Sequence, residues 1–416
     1  MTRTATQAFL CAFTAQAGFL TLAPILPDVA AEFGTSSPAV GQLRTLSGLA
    51  GGALALLLFL SPRSPGIRTI LRGSLALAAT GSALSAVAPS IAVLAVGQAA
   101  VGAAGAGLMA GSVAAAARWP AAPERARTLT WAIVGQPAAW VVGMPVTGVV
   151  ADLSWRLTWV ALPMTAAVVA LWSLRGRPTD APVRRARAAA TQPLAGWAAA
   201  ELLAQAAWAG TLVYSAVLLR DSYDVSATAV GLMLGVGAAA YFPGAFGARA
   251  LNVSWRAGAV AAAAVLAAGV GVFGALRPSP LFSGVLFGLL VGVAGARTTL
   301  ASSYLLELAP EIRTRASGIR AAATQFGYLI GAAVAGLALA VGGFAEMGAV
   351  LAALLVASIV PHVAALRSAA APTSLDTVVS RFGRVLRQWP ATTSTPSVAR
   401  SSSSTAAWAP PSSSST

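Results

Sequence analysis

From Ala257 to Leu276 the chain carries no charged residue, and from Thr69 to Ser90 it carries a single one, Arg72. Runs of this length and character recur along most of the sequence, and they constrain the fold more than any motif does. A hydrocarbon core of about 30 Å is crossed by about 20 apolar residues of α-helix. Backbone N–H and C=O groups in lipid must pair within their own segment, so each run is read as a helix. Composition agrees: 57% of the residues are hydrophobic and 9% are charged, against about 25% charged in a soluble domain. A soluble enzyme with a large core is excluded. The chain reads as an all-α polytopic membrane protein.

Twelve transmembrane helices are expected, near 6–27, 39–60, 69–88, 91–113, 128–151, 156–174, 194–217, 227–247, 257–276, 281–305, 315–341 and 345–366. The breaks carry turn chemistry, as in "APS" at 88–90 and "RPSP" at 277–280. All 27 basic residues are Arg, and the formal net charge is +15. In a soluble chain that excess would point to nucleic acid. Here the arginines fall in short loops between apolar runs, so no nucleic-acid partner is expected and the charges are read as orientation signals. With the N-terminus inside, the cytoplasmic loops and termini hold Arg3, Arg63, Arg68, Arg72, Arg118, Arg125, Arg127, the arginines of 175–187, Arg249, Arg256, Arg313, Arg315, Arg320 and those from Arg367 on. The opposite side holds only Arg44, Arg156, Arg220 and Arg277. Both termini are therefore expected in the cytoplasm, with the chain multi-pass in the inner (plasma) membrane. The lone Cys11 excludes an internal disulfide, and the first run is read as a membrane helix, not a cleaved leader.

A short charged phrase appears twice in this apolar chain, as "APERART" at 122–128 and as "APEIRTRAS" at 309–317. The first follows the fourth expected helix and the second follows the tenth. Arg63 with Arg249, and Arg68 with Arg256, recur at nearly the same interval. Two similar halves of six spans in the same orientation form the parallel repeat of a rocking transporter. The expected organisation is a six-helix bundle over 1–174, a basic cytoplasmic linker over 175–193, a second six-helix bundle over 194–367 and a cytoplasmic tail over 368–416.

Local matches follow the same order. "LAPILPDVAAEFG" (22–34) ends the first helix, "LSPRSPGIRTIL" (60–71) joins the second and third, and "QAAVGAAGAGLMAG" (98–111) lies in the fourth. "VVGMPVTGVVADLSWRLTWV" (141–160) carries a Gly/Pro motif and a Trp-Arg pair. With these motifs the chain resembles the major facilitator superfamily over roughly residues 6–366, and within it the twelve-span drug/proton antiporters and sugar-efflux permeases. The resemblance implies two six-helix bundles working by alternating access. It further implies a secondary active transporter, proton-coupled, that exports a small amphipathic molecule. Its partners would be that substrate, protons and the lipid bilayer, with no cofactor, no metal and no enzymatic chemistry, and the protein would act as a monomer. A facilitator or importer of a small metabolite is the alternative, and a non-transporting scaffold a third reading.

The resemblance makes Gly143, Pro145 and Gly148 the fifth-helix motif of exporters, although generic close packing of small residues accounts for the same pattern. It makes Arg63, Arg68, Arg125, Arg127, Arg313 and Arg315 a candidate cytoplasmic gate. Two departures matter. Pro62 stands where the family's loop carries an Asp, and Gln98 stands where its fourth helix carries an Arg.

Charged groups inside hydrocarbon cost about 2.5–3.5 kcal/mol each, so they are candidates for function. Glu201 in the seventh run and Arg297 in the tenth are the two so placed, each an expected 6–7 Å or so from mid-membrane at about 1.5 Å per residue. They are expected to form an ion pair, either as the proton pathway or as a fixed structural lock. Trp197, Glu201, Gln205 and Trp208 recur at helical spacing as one polar-aromatic stripe. Gln16 is a candidate substrate hydrogen-bonder, with Gln136, Tyr241, Gln325 and Tyr328 behind it. Asp28 is expected as a solvated charge at the outer mouth. His362 is the single histidine, with no second ligand near it in sequence, so no metal site is expected. The acidic residues are too scattered for a catalytic cluster. Residues 374–389 form a candidate interfacial amphipathic helix in the tail, the alternative being a solvated segment.

Overall fold

The computed structural model describes residues 1–61, 63–177, 183–184, 192–250, 254–307 and 310–368. Each expected run is helical: α1 (Arg3–Glu32), α2 (Leu43–Leu60), α3 (Ile67–Ala86), α4 (Ile91–Arg118), α5 (Arg125–Ala151), α6 (Trp155–Ser173), α7 (Gln192–Tyr223), α8 (Ala227–Ala248), α9 (Trp255–Ala275), α10 (Pro280–Glu307), α11 (310–342) and α12 (344–368). Among the described residues, nine helices are long and apolar enough to cross a membrane, the last of them running through both α11 and α12. The tail, with its candidate helix at 374–389, and most of the linker lie outside the described residues.

Local chemistry sets the boundaries. Thr2, Ser90, Ser226 and Ser254 each accept a first-turn backbone N–H and so start α1, α4, α8 and α9. The breaks in α1 at Thr21 and in α8 at Ala240 lie just before Pro24 and Pro243, whose missing N–H groups interrupt the ladder. In α6, Pro163 sits in a widened turn over Val160–Met164. Between α11 and α12 the chain reverses at Gly343, whose φ of 72° suits glycine alone. Large apolar side chains such as Leu57, Val236 and Val341 remain exposed, as a lipid-facing surface requires.

Packing repeats between the halves. In the first, α1 packs on α5, α2 on α4 and α3 on α4. In the second, α7 packs on α11, α8 on α10 and α9 on α10. Across the seam α2 meets α11 and α5 meets α8, which exchange under the same two-fold relation. Here the face carrying Met1, the α4–α5 turn and the start of α7 is termed proximal, and the opposite face distal. At the proximal face a two-residue antiparallel pairing, Arg63 with Arg184 and Ser64 with Val183, ties the α2–α3 loop to the linker.

Candidate functional site

Glu201 on α7 and Arg297 on α10 meet inside the second half. Arg297 Nη2 donates to Glu201 Oε1 at 2.7 Å, and their side chains are 0% and 5% exposed in the order Glu, Arg. A second cation stands on α11, where Arg320 Nε lies 3.6 Å from Glu201 Oε2. One buried carboxylate thus faces two guanidinium groups, and Arg297 Nε has no hydrogen-bond partner. His362 on α12 is buried against Trp255, within electrostatic reach of both Arg297 and Glu201. Sequence reading placed Arg320 in the orientation count and left His362 without a role. The structure brings Arg320 to this pair and sets His362 against Trp255.

The stripe on α7 is divided among several neighbours. Trp197 is buried, donates its indole N–H to the Ala301 carbonyl at 3.1 Å and packs on Tyr304. Gln205 is half-buried and lies against Gly327 of α11. Trp208 is half-buried against the apolar core. Helical spacing put these residues on one side of α7 but does not show which partner each one meets.

A second cluster lies on the seam at mid-depth. Gln16 of α1 is buried and its Nε2 donates to Tyr328 Oη of α11 at 3.3 Å. Tyr328 stacks on Phe19 of α1, with ring centroids 4.9 Å apart. The Arg44 guanidinium sits 5.3 Å from the centroid of the same Phe19 ring, and its Nη2 donates to the Gly18 carbonyl at 3.3 Å. Arg44, counted among the arginines of the side opposite the N-terminus, is 1% exposed. It begins α2, and the close approach of α2 to its neighbours turns the side chain inward. Gln325, buried on α11, packs over Gly51 of α2. Gln136 and Tyr241 are half-buried elsewhere. Thr14 and Thr21 donate to carbonyls of their own helix. Gln98, at the family's Arg position, donates to Ser85 and ties α4 to α3.

Contacts joining the halves concentrate toward the distal face. Arg220 of α7 makes a bidentate pair with Asp28 of α1, its Nη2 donating to Oδ1 at 2.9 Å, and also donates to the Pro24 carbonyl. Asp28 is therefore not a free mouth charge, because the end of α7 reaches across and pairs with it. Asp152, just beyond α5, accepts the backbone N–H groups of Ala227 and Thr228 at the start of α8. Hydrogen bonding from Thr228, side chain and backbone, with a smaller bond from Ala227, holds the Asp152 carboxyl below its ordinary value despite some burial. The sign follows: the contribution is full at neutral pH and is lost only as pH falls through that lowered value. Arg156 pairs with Glu32 within the first half.

The distal seam yields a prediction. Arg220→Gln will speed maleimide labelling of an Ala227→Cys reporter about 2- to 5-fold, the range set by a partly exposed ion pair. Cys11 is buried and leaves the reporter readable. An unchanged rate would remove Arg220 from the closure.

The motif residues of α5 divide. Gly143 packs inside the first half against Leu20 and Leu162, whereas Pro145 meets Gly235 and Gly148 meets Ala227 and Gly231, both across the seam. At the proximal face Arg68 is half-buried and Arg125 and Arg127 are exposed, with Arg125 Nε donating to the Pro120 carbonyl. The side chains of Arg63, Arg313 and Arg315 lie outside the described residues. No group of three or more His, Cys, Asp or Glu suited to a metal occurs among the described residues.

Two like-oriented helical halves that meet along a seam, with seam contacts gathered toward one face, have the parallel-repeat organisation found in membrane transporters. The chain belongs to the Major Facilitator Superfamily, whose family model matches residues 8–255. Its fold is similar to that of the human organic anion transporter MFSD10, with TM-score 0.63 at 15% identity over 86% of this chain and 99% of that one. It is likewise similar to the nucleoside transporter NupG, with TM-score 0.66 at 13% identity over 87% and 99%. A bacterial homologue of the human lysosomal transporter Spinster, in an inward-facing conformation, gives TM-score 0.61 at 13% identity over 93% and 98%. No curated protein matches the sequence.

Proposed function

We propose that the protein is a proton-coupled exporter of a small amphipathic molecule, working by alternating access in the inner (plasma) membrane as a monomer with both termini in the cytoplasm. The observation that carries this reading is the buried Glu201–Arg297 pair in a bundle otherwise poor in charge. A proton and the Arg297 guanidinium compete for one carboxylate. In the state described, Arg297 holds it. A rearrangement within the second half that accompanies rocking would separate α7 from α10, and Glu201 would then take a proton from the opposite side. Return of Arg297 would expel that proton.

Support for outward transport comes from the α5 motif, which resembles that of exporters and places Pro145 and Gly148 on the seam. The one-sided distribution of loop arginines supports the orientation. The proximal arginines Arg63, Arg68, Arg125, Arg127, Arg313 and Arg315 would then line the cytoplasmic gate.

The test uses inside-out vesicles with an acid interior and a pH-sensitive dye, challenged with lipophilic cations, neutral drugs, sugars and small organic acids. Wild type is expected to release protons with at least one compound, and Glu201→Gln with none. Transport that is equally fast in both and flat with pH would instead favour a facilitator or importer.

A further inference from the structure

The geometry points to an anion subsite at Arg44, so that the transported molecule carries an oxyanion beside an aromatic or planar body. The inference deepens the transporter reading by naming a substrate class, and it rests on that reading for the word substrate alone.

Arg44 differs from the other arginines of the bundle interior and distal seam. Arg297 has Glu201, Arg220 has Asp28 and Arg156 has Glu32. Arg44 is more deeply buried than any of these, yet among the described residues it has no carboxylate within ion-pair distance. Its Nη2 reaches one carbonyl and its Nη1 reaches nothing. Lying at the start of α2, it had the option of extending to the membrane surface, as long cationic side chains do at helix ends. It turns inward instead. A buried guanidinium without a counter-charge is costly and needs a reason.

Its surroundings indicate what would satisfy it. Arg44 and Tyr328 both pack on Phe19, one as a cation over the ring and the other as a stacked ring. Gln16 donates to Tyr328 Oη, which leaves the phenol proton free to be given away. A guanidinium fork and a phenol O–H offer charge-assisted donors to an oxyanion. Phe19 and Tyr328 provide flat apolar surface beside them. Phe19 belongs to α1 and Tyr328 to α11, so the stack spans the seam and would part when the halves rock. The subsite is then covered in the present state and opened by the motion that transport requires.

Binding is best read at equilibrium, without a pH gradient, on purified protein in nanodiscs. Thermal unfolding is followed with benzoate, benzenesulfonate and phenyl phosphate, and with benzyl alcohol and benzylamine as neutral and cationic matches. Wild type is expected to be stabilised by at least one anion and by neither control. Arg44→Lys, which keeps the charge and loses the fork, should retain part of the effect. Arg44→Gln should weaken anion binding by about 10- to 100-fold, the loss of one charge-assisted contact. Free of ligand, Arg44→Gln should unfold no lower than wild type, because it removes an unpaired buried charge; a structural arginine would give a lower midpoint. Four results each overturn the assignment: a lower ligand-free midpoint in Arg44→Gln, no protection by any anion, equal protection by benzylamine, or undiminished anion binding in Arg44→Gln. None of them bears on proton coupling, which the Glu201→Gln vesicles decide separately.

Discussion

Glu201→Leu will destabilise the folded protein by about 3–5 kcal/mol, the scale for removing one partner of a buried ion pair. The variant leaves Arg297, 4% exposed, without its carboxylate inside the second half. Arg320 loses the same partner, but its side chain is 23% exposed and can turn toward solvent. Most of the cost therefore falls on Arg297. The double variant Glu201→Leu with Arg297→Leu removes both charges and should recover most of the loss, since apolar replacement of a whole buried pair is often neutral. Denaturant unfolding in detergent for the two single variants and the double variant yields the coupling directly. If Glu201→Leu alone is as stable as the double variant, the pair is not closed in the folded protein and the switch proposed for it fails.

Glu201→Gln asks a different question. The amide retains the shape and one acceptor for Arg297 but cannot cycle a proton. Loss of coupled transport with only modest loss of stability would separate the proton's role from the structural one. This matters because a charge lock and a proton switch use the same two residues.

The pair was legible in the sequence because each residue interrupts a long uncharged run, and such an interruption is costly wherever the helix lies. The halves were legible because the phrase after α4 recurs after α10, and loop chemistry repeats when the fold does. Arg44 was not legible. It stands where α2 begins, and an arginine at a run's edge reads as a loop charge whichever way it points. Its inward direction depends on the approach of α2 to its neighbours, where a Cβ on Gly48 would lie 2.4 Å from the Leu329 backbone nitrogen. Spacing along one helix does not encode that approach. Asp28 and Arg220 were missed for a related reason. They sit at the ends of helices in different halves, 192 residues apart in the chain, and only the closed seam brings them together. Arg320 read as an orientation charge because it lies within a turn or two of the basic phrase that opens α11. The sequence left the α5 motif open between an exporter motif and generic close packing, and it could not separate contacts within a half from contacts across the seam.

That separation sets the remaining large effect. Gly148→Val will shift the distal face toward its open state, and Gly143→Ala will not. A Cβ on Gly148 would lie 2.4 Å from the Ala227 carbonyl oxygen and 3.0 Å from Gly231 Cα, both backbone atoms of α8 in the other half. Neither can move without the helix, so α5 and α8 must part. A Cβ on Gly143 would instead meet Leu162 and Leu20 side-chain tips at 2.9 and 3.0 Å, inside its own half, where a rotamer change gives way. Overpacking of the first kind costs about 1–3 kcal/mol. Placed on the seam, that cost falls on the closed state alone and shifts the equilibrium about 5- to 150-fold toward an open distal face. Maleimide labelling at Ala227→Cys should rise accordingly in Gly148→Val, with transport lost and the unfolding midpoint nearly kept. Gly143→Ala should label like wild type and retain transport. If the two variants behave alike, the motif is packing without a gate, and Pro145 and Gly148 lose their place in the transport cycle.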